Sequence, residues 1–157
     1  MKRFWPFVFF PALGLDLLLK AAAYRLPPEG VTLLCGFRLA LHVNPGAAFG
    51  LAQTWGAVAG LAGLGVLAGL TFFLRPLSGP TRCALALLWA GGASNALERA
   101  WTGGVTDFLL IPLPFSSVFG PRGLFVNLAD VWLALGALLL ALICVKRGGK
   151  DARLFFL

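Results

Sequence analysis

The side chains that could do chemistry in this chain are few, and they fall in three groups: Asp107 with Asn127 and Asp130, Asp16 with Lys20, and Asn95 with Glu98 and Arg99. Two carboxylates brought close together cannot both ionise cheaply, so they share a proton. One then serves as a base that activates water and the other as an acid that protonates the leaving group. Asp107 and Asp130 are suited to that work, which is how aspartic peptidases hydrolyse an amide. The same residues also have a bland account. Asn127 is a good N-cap, Asp130 three positions on complements a helix N-terminus, and Asp107 would sit in a solvated loop. Spacing alone leaves both accounts open. Nucleophilic schemes fit less well: His42 is the one histidine, and no serine stands in a nucleophile-elbow pattern. A Ser94–His42 dyad is the weak form of that alternative.

Asp16 and Lys20 are four residues apart on one helix face, where an ion pair lowers the cost of burying either. Asn95 and Arg99 share a face of another helix, and Arg99 could snorkel to an interface. Glu98 points elsewhere, toward a neighbouring cation or boundary water. Cys35, Cys83 and Cys144 are odd in number and widely spaced, so neither a disulfide framework nor a metal site is expected.

These residues must be positioned by elements that lie in lipid. The 157-residue chain is 59% hydrophobic and 12% charged, with mean hydropathy +0.88. That apolar share exceeds what a soluble domain of this length can hide. Four stretches approach the roughly 20 apolar residues a membrane helix needs: 4–24, 55–74, 81–101 and 126–145. Asp16 and Lys20 argue against reading the first as a cleaved signal peptide. Lys2, Arg3, Arg75, Arg82, Lys146, Arg147, Lys150 and Arg153 share one side, against Arg25, Arg38 and Arg122 on the other. The positive-inside rule therefore puts both termini in the cytoplasm and the loops 25–54 and 102–125 outside. The net charge of +7 sits in clusters at segment ends, which suits anionic lipid and not nucleic acid.

The expected fold is a single integral membrane domain over 1–157: an all-α four-helix bundle with a small extracytoplasmic β-sheet. Phe37, Leu39, Leu41 and Val43 alternate with Arg38, Ala40 and His42 as in a half-buried strand. Val105 to Leu113 offers a second strand or an interfacial segment. The pairs Gly56/Gly60 and Gly65/Gly69 would let the second helix approach its neighbours.

Taken in order, Asp16-Leu-Leu-Leu-Lys20, Asn44-Pro-Gly-Ala-Ala-Phe49, Asn95-Ala-Leu-Glu-Arg99, Gly104-Val-Thr-Asp107-Phe108 and Asn127-Leu-Ala-Asp130 resemble the motifs of the lipoprotein signal peptidases (signal peptidase II) over nearly the whole chain. The resemblance implies a β-sheet cradle on the outer-leaflet side and a catalytic pair of Asp107 and Asp130 without cofactor or metal. It implies that Asn44, Gly46, Asn95, Arg99 and Asn127 line or support the substrate site, with Asp16 and Lys20 structural or near it. The implied substrate is a prolipoprotein signal peptide cut before a diacylglyceryl-modified cysteine, in the bacterial inner membrane. A globomycin-type inhibitor is implied as well, and a monomer is expected. The chain departs from the family at Ser94, where a glycine is usual, and at Glu98, where an aspartate is usual. The Pro- and Gly-rich segment between Asp107 and Asp130 is also longer. The alternative reading is a non-enzymatic membrane protein whose Asp16, Lys20, Arg99 and Asp130 form an ion-pair network or proton path.

Overall fold

The computed structural model describes residues 5–45, 56–74, 78–113 and 123–154. Four α-helices are present among them: α1 (Pro6–Ala23), α2 (Gly56–Phe73), α3 (Gly79–Thr102) and α4 (Leu128–Leu154). Four short strands accompany them, β1 (Val31–Thr32), β2 (Arg38–Asn44), β3 (Val105–Ile111) and β4 (Leu124–Val126), with a 3-10 turn at Leu34–Gly36.

In α1 the buried residues are Ala12, Asp16, Lys20 and Ala23, one stripe at helical spacing. The other faces present Phe7, Phe10 and Leu18, each more than 60% exposed. Charged groups inside and large apolar groups outside invert the arrangement that water selects, and lipid is the solvent in which it is stable. The chain is a membrane protein. Pro6–Ala23 and Leu128–Lys146 are long and apolar enough to cross a bilayer, with mean hydropathy 1.5 and 2.5.

Helix α3 is the centre of the bundle and packs against α1, α2 and α4. Ser78 caps its start by accepting from the Thr81 amide, and Gly103 ends it at φ +78°, returning its N–H to the Arg99 carbonyl. Ala84, Leu85 and Leu88 form the core with Leu140 of α4, flanked by Leu67, Leu70 and Leu133. The α3–α4 contact depends on two glycines. A Cβ on Gly91 would lie 2.4 Å from the Ala129 carbonyl oxygen, and one on Gly136 would lie 2.8 Å from that of Ala84. The glycines singled out in α2 behave differently: Gly60 faces Ala96 of α3, but Gly65 and Gly69 have open space. The closest backbone approach is at α3–α4, and a looser one is at Gly60, where a Cβ would lie 3.4 Å from Ala96 Cα. Gly56 has no described side-chain environment.

The strands form one antiparallel sheet in the order β1-β2-β3-β4. A shift of register between Leu39 and His42 interrupts the β2–β3 ladder. This irregularity overturns the expected in–out alternation: Leu41, His42 and Val43 are all exposed. Strand β3 leaves α3 directly, and β4 pairs with β3 from Leu109↔Val126 to Ile111↔Leu124 before entering α4. The fourth helix therefore starts at Leu128 rather than 126, because Val126 is held in the sheet and Asn127 provides the cap. It also continues to Leu154, since helix geometry need not end where hydropathy does.

Candidate active site

The sheet joins the C-terminal ends of α1 and α3 to the N-terminal end of α4, and the polar residues meet at that junction. Asn127 and Asp130 form a reciprocal cap on α4. The Asp130 amide donates to Asn127 Oδ1 at 3.0 Å, and the Asn127 amide donates to Asp130 Oδ2 at 3.1 Å. The bland capping account is thus correct for one oxygen of Asp130. Its other oxygen, Oδ1, accepts from Asn95 Nδ2 at 3.1 Å.

Asn127 also reaches across to the strand. Its Nδ2 donates to Asp107 Oδ1 at 2.7 Å and to Asn95 Oδ1 at 3.3 Å. Asp107 is not in a solvated loop: it lies within β3 and is 5% exposed. Burial, and then the charge of Asp130, push its carboxyl up to about 6, opposed by hydrogen bonds from Asn127 and Asn44 and by the charge of Lys20. The charge of Asp130 reaches Asp107, so the two carboxyls are near enough to influence each other.

Behind Asn95 lies a second layer. Lys20 donates to Asn95 Oδ1 at 2.7 Å and pairs with Asp16 at 2.9 Å and Glu98 at 3.0 Å. Asp16 and Lys20 thus make the intrahelical pair read from their spacing, and they do more. Asp16 Oδ1 accepts the Ala129 amide at 2.8 Å, so a residue of α1 caps an N–H of α4, and Asp16 Oδ2 accepts from Ser94 Oγ at 2.5 Å. These bonds join residues more than 70 positions apart. Nothing in the local pattern signalled them.

Of the other residues read from the sequence, Asn44 ends β2 opposite Val105 and hydrogen-bonds Asp107. Arg99 is half-buried in the last turn of α3, one turn beyond Asn95. Gly46 lies outside the described residues. The Ser94–His42 dyad is not formed: Ser94 is committed to Asp16, and His42 stacks on Phe125 with ring centroids 4.6 Å apart. Two contacts were not anticipated. Tyr24 and Thr106 hydroxyls meet at 3.2 Å, tying α1 to β3, and Trp132 Nε1 donates to the Ala12 carbonyl, tying α4 to α1.

The fold and the junction define a helical membrane protein with two carboxylates held by one asparagine. The architecture matches two solved structures of bacterial membrane enzymes. One has TM-score 0.78 at 21% identity over 93% of this chain and 90% of that one. The other has TM-score 0.75 at 22% identity over 90% and 92%. The family model for signal peptidase (SPase) II matches residues 8–146, and the chain belongs to that family. A lipoprotein signal peptidase of Chlamydia trachomatis is 38% identical over 62% of this chain and 58% of its own length. The aligned stretch thus spans less than two thirds of that relative. The lipoprotein signal peptidase of Symbiobacterium thermophilum is 37% identical over 72% of this chain and 74% of its own length. That of Cyanothece is 32% identical over 76% and 72%.

Proposed function

We propose that the protein is an aspartic endopeptidase that removes signal peptides from lipid-modified prolipoproteins, cutting before the lipid-bearing cysteine. The observation that carries this reading is the position of Asn127. It bonds Asp107 through its side chain and Asp130 through both its backbone amide and its side-chain oxygen, so the two carboxylates share one scaffold. Asp107 and Asp130 together hold one proton. The ionised partner takes a proton from water as it attacks the peptide carbonyl, and the protonated partner delivers its own to the leaving amine. The pair titrates as a unit, so the two roles belong to the pair.

Asn44, Asn95 and Asn127 hold the carboxylates. Arg99 and Gly46 belong to the substrate-binding rim. All four helices span the inner membrane of a bacterium with both termini in the cytoplasm, and the sheet and the carboxylates face outward. There the acyl chains and apolar signal peptide of the substrate remain in lipid while water reaches the bond to be cut. The enzyme works as a monomer and is open to a globomycin-type inhibitor.

The test of mechanism is whether a covalent intermediate forms, since direct attack by water and hydrolysis of an acyl-enzyme both leave one solvent oxygen in the new carboxylate. Cleavage of a diacylglyceryl-modified prolipoprotein in H2(18)O should place one 18O in the new carboxylate of the signal peptide during a single turnover. Hydroxylamine should trap no acyl-enzyme. A hydroxylamine-trapped adduct, or a product beginning elsewhere than the modified cysteine, would overturn the reading.

A further inference from the structure

Lys20 is 3% exposed, and its ammonium has four acceptors in reach: Asn95 Oδ1 at 2.7 Å, Asp16 at 2.9 Å, Glu98 at 3.0 Å and Ser94 Oγ at 3.4 Å. An ion pair that served only to offset burial would be complete with Asp16. The shortest contact goes instead to a neutral amide, and this has a directional consequence. An ammonium only donates, so the oxygen of Asn95 must face Lys20 and its NH2 group must face away. That NH2 group meets Asp130 Oδ1 at 3.1 Å.

We propose, on the aspartic reading above, that Lys20 is a positioning residue for Asp130. By holding Asn95 Oδ1 it turns the Asn95 amide toward the carboxylate, while Asp16, through Ala129, braces the first turn of α4 against α1. Ser94 completes the brace: it donates to Asp16 at the position where the family resemblance leads one to expect glycine. Without Lys20 the Asn95 oxygen keeps only the longer 3.3 Å bond from Asn127. A flipped amide then sets a carbonyl oxygen against Asp130 in place of a donor.

Lys20 is also the cation that draws down the carboxyl of Asp107. The charged groups shown to face it are Asp16 from α1, Glu98 from α3 and Asp107 from β3; α2 contributes no charged residue over Gly56–Phe73. Its removal therefore moves the limb of a bell-shaped pH–rate profile that reports Asp107 to higher pH, because that carboxylate loses a stabilising charge.

The experiment uses the full chain in detergent with a diacylglyceryl-modified prolipoprotein, measuring kcat, KM and the pH profile for Lys20→Met, Lys20→Arg and Asp107→Asn. Since Lys20→Met leaves two carboxylates without their cation, the double variant Lys20→Met with Glu98→Gln is measured beside it. The expected result for the folded Met variants is kcat lower by roughly 10- to 100-fold, the scale of a small misplacement of a reacting group, with KM within a few-fold. The limb that reports Asp107 shifts upward, and Lys20→Arg restores it. Folded Met variants whose Asp107 limb stays at the wild-type pH would overturn the proposal even if their specific activity fell, since loss of active molecules alone leaves the profile in place. Full activity in Asp107→Asn would instead overturn the aspartic reading, and the positioning role with it.

Discussion

Asn127 does two jobs that a pair of substitutions can separate. Its side-chain oxygen caps α4 at the Asp130 amide, and its Nδ2 supplies donors to Asp107 and Asn95. Asn127→Ala removes both. Losing an N-cap costs about 1 kcal/mol. Leaving the carboxylate of Asp107, a residue 5% exposed, without that donor costs about 1–3 kcal/mol more. A total loss of about 2–4 kcal/mol is expected by reversible unfolding in mixed micelles. Asn127→Ser keeps a good capping oxygen but is too short to span to Asp107. It should recover about 1 kcal/mol of that stability and none of the activity. The assay is unfolding and lipoprotein cleavage measured on the same preparations. If Asn127→Ser cleaves at the wild-type rate, Asn127 is only a cap and the shared-scaffold argument fails.

Other expectations follow from the same contacts. Asp107 keeps its proton to about pH 6 in the folded chain against 3.8 for an ordinary aspartate. Its contribution to stability is therefore full below about 3.8 and is lost as pH rises through 6, a cost of up to about 3 kcal/mol at neutral pH. Asp107→Asn should accordingly be inactive yet more stable than wild type at pH 7.5, with the gain vanishing near pH 4; equal stability at both pH values would contradict the burial argument. Gly91→Ala, whose new Cβ would press on the Ala129 carbonyl oxygen at 2.4 Å, should cost about 1–3 kcal/mol and reduce cleavage. Gly65→Ala, with open space around it, should be close to neutral in both. Tyr24→Phe should lose about 1 kcal/mol with the Thr106 contact and leave the pH profile unchanged.

Much of the site was legible because lipid makes polar residues conspicuous. Asp16, Lys20, Asn95 and Asn127 stand out in apolar stretches, and all four are buried at one junction. The spacing of Asn127 and Asp130 reads as a cap, and the cap is there. What could not be read is what each polar group touches across the bundle. The bond from Ala129 to Asp16 spans 113 residues, and a local pattern carries no information about it. Spacing suggested that the Asp16–Lys20 pair was self-contained, whereas its atoms also serve Ala129, Ser94, Asn95 and Glu98. The glycine pairs of α2 matched a common packing motif, but the backbones come closest at Gly91 and Gly136, where the neighbouring carbonyls lie. The strand alternation around Leu41 failed because the change of register at Leu39/His42 turns side chains out of phase, and no residue type there announces it. Strands β1 and β4 are too short to carry a period at all.

The central claim is that Asp107 and Asp130 act together on the scissile bond. Its most direct test is single-turnover cleavage of a diacylglyceryl-modified prolipoprotein by purified, folded Asp107→Asn, Asp130→Asn and the double variant. Each single change is expected to slow the reaction by roughly 100- to 10,000-fold, with the double variant little worse than either, as for groups that work as a unit. Wild-type cleavage by either single variant, or independent additive losses in the double variant, would contradict the account.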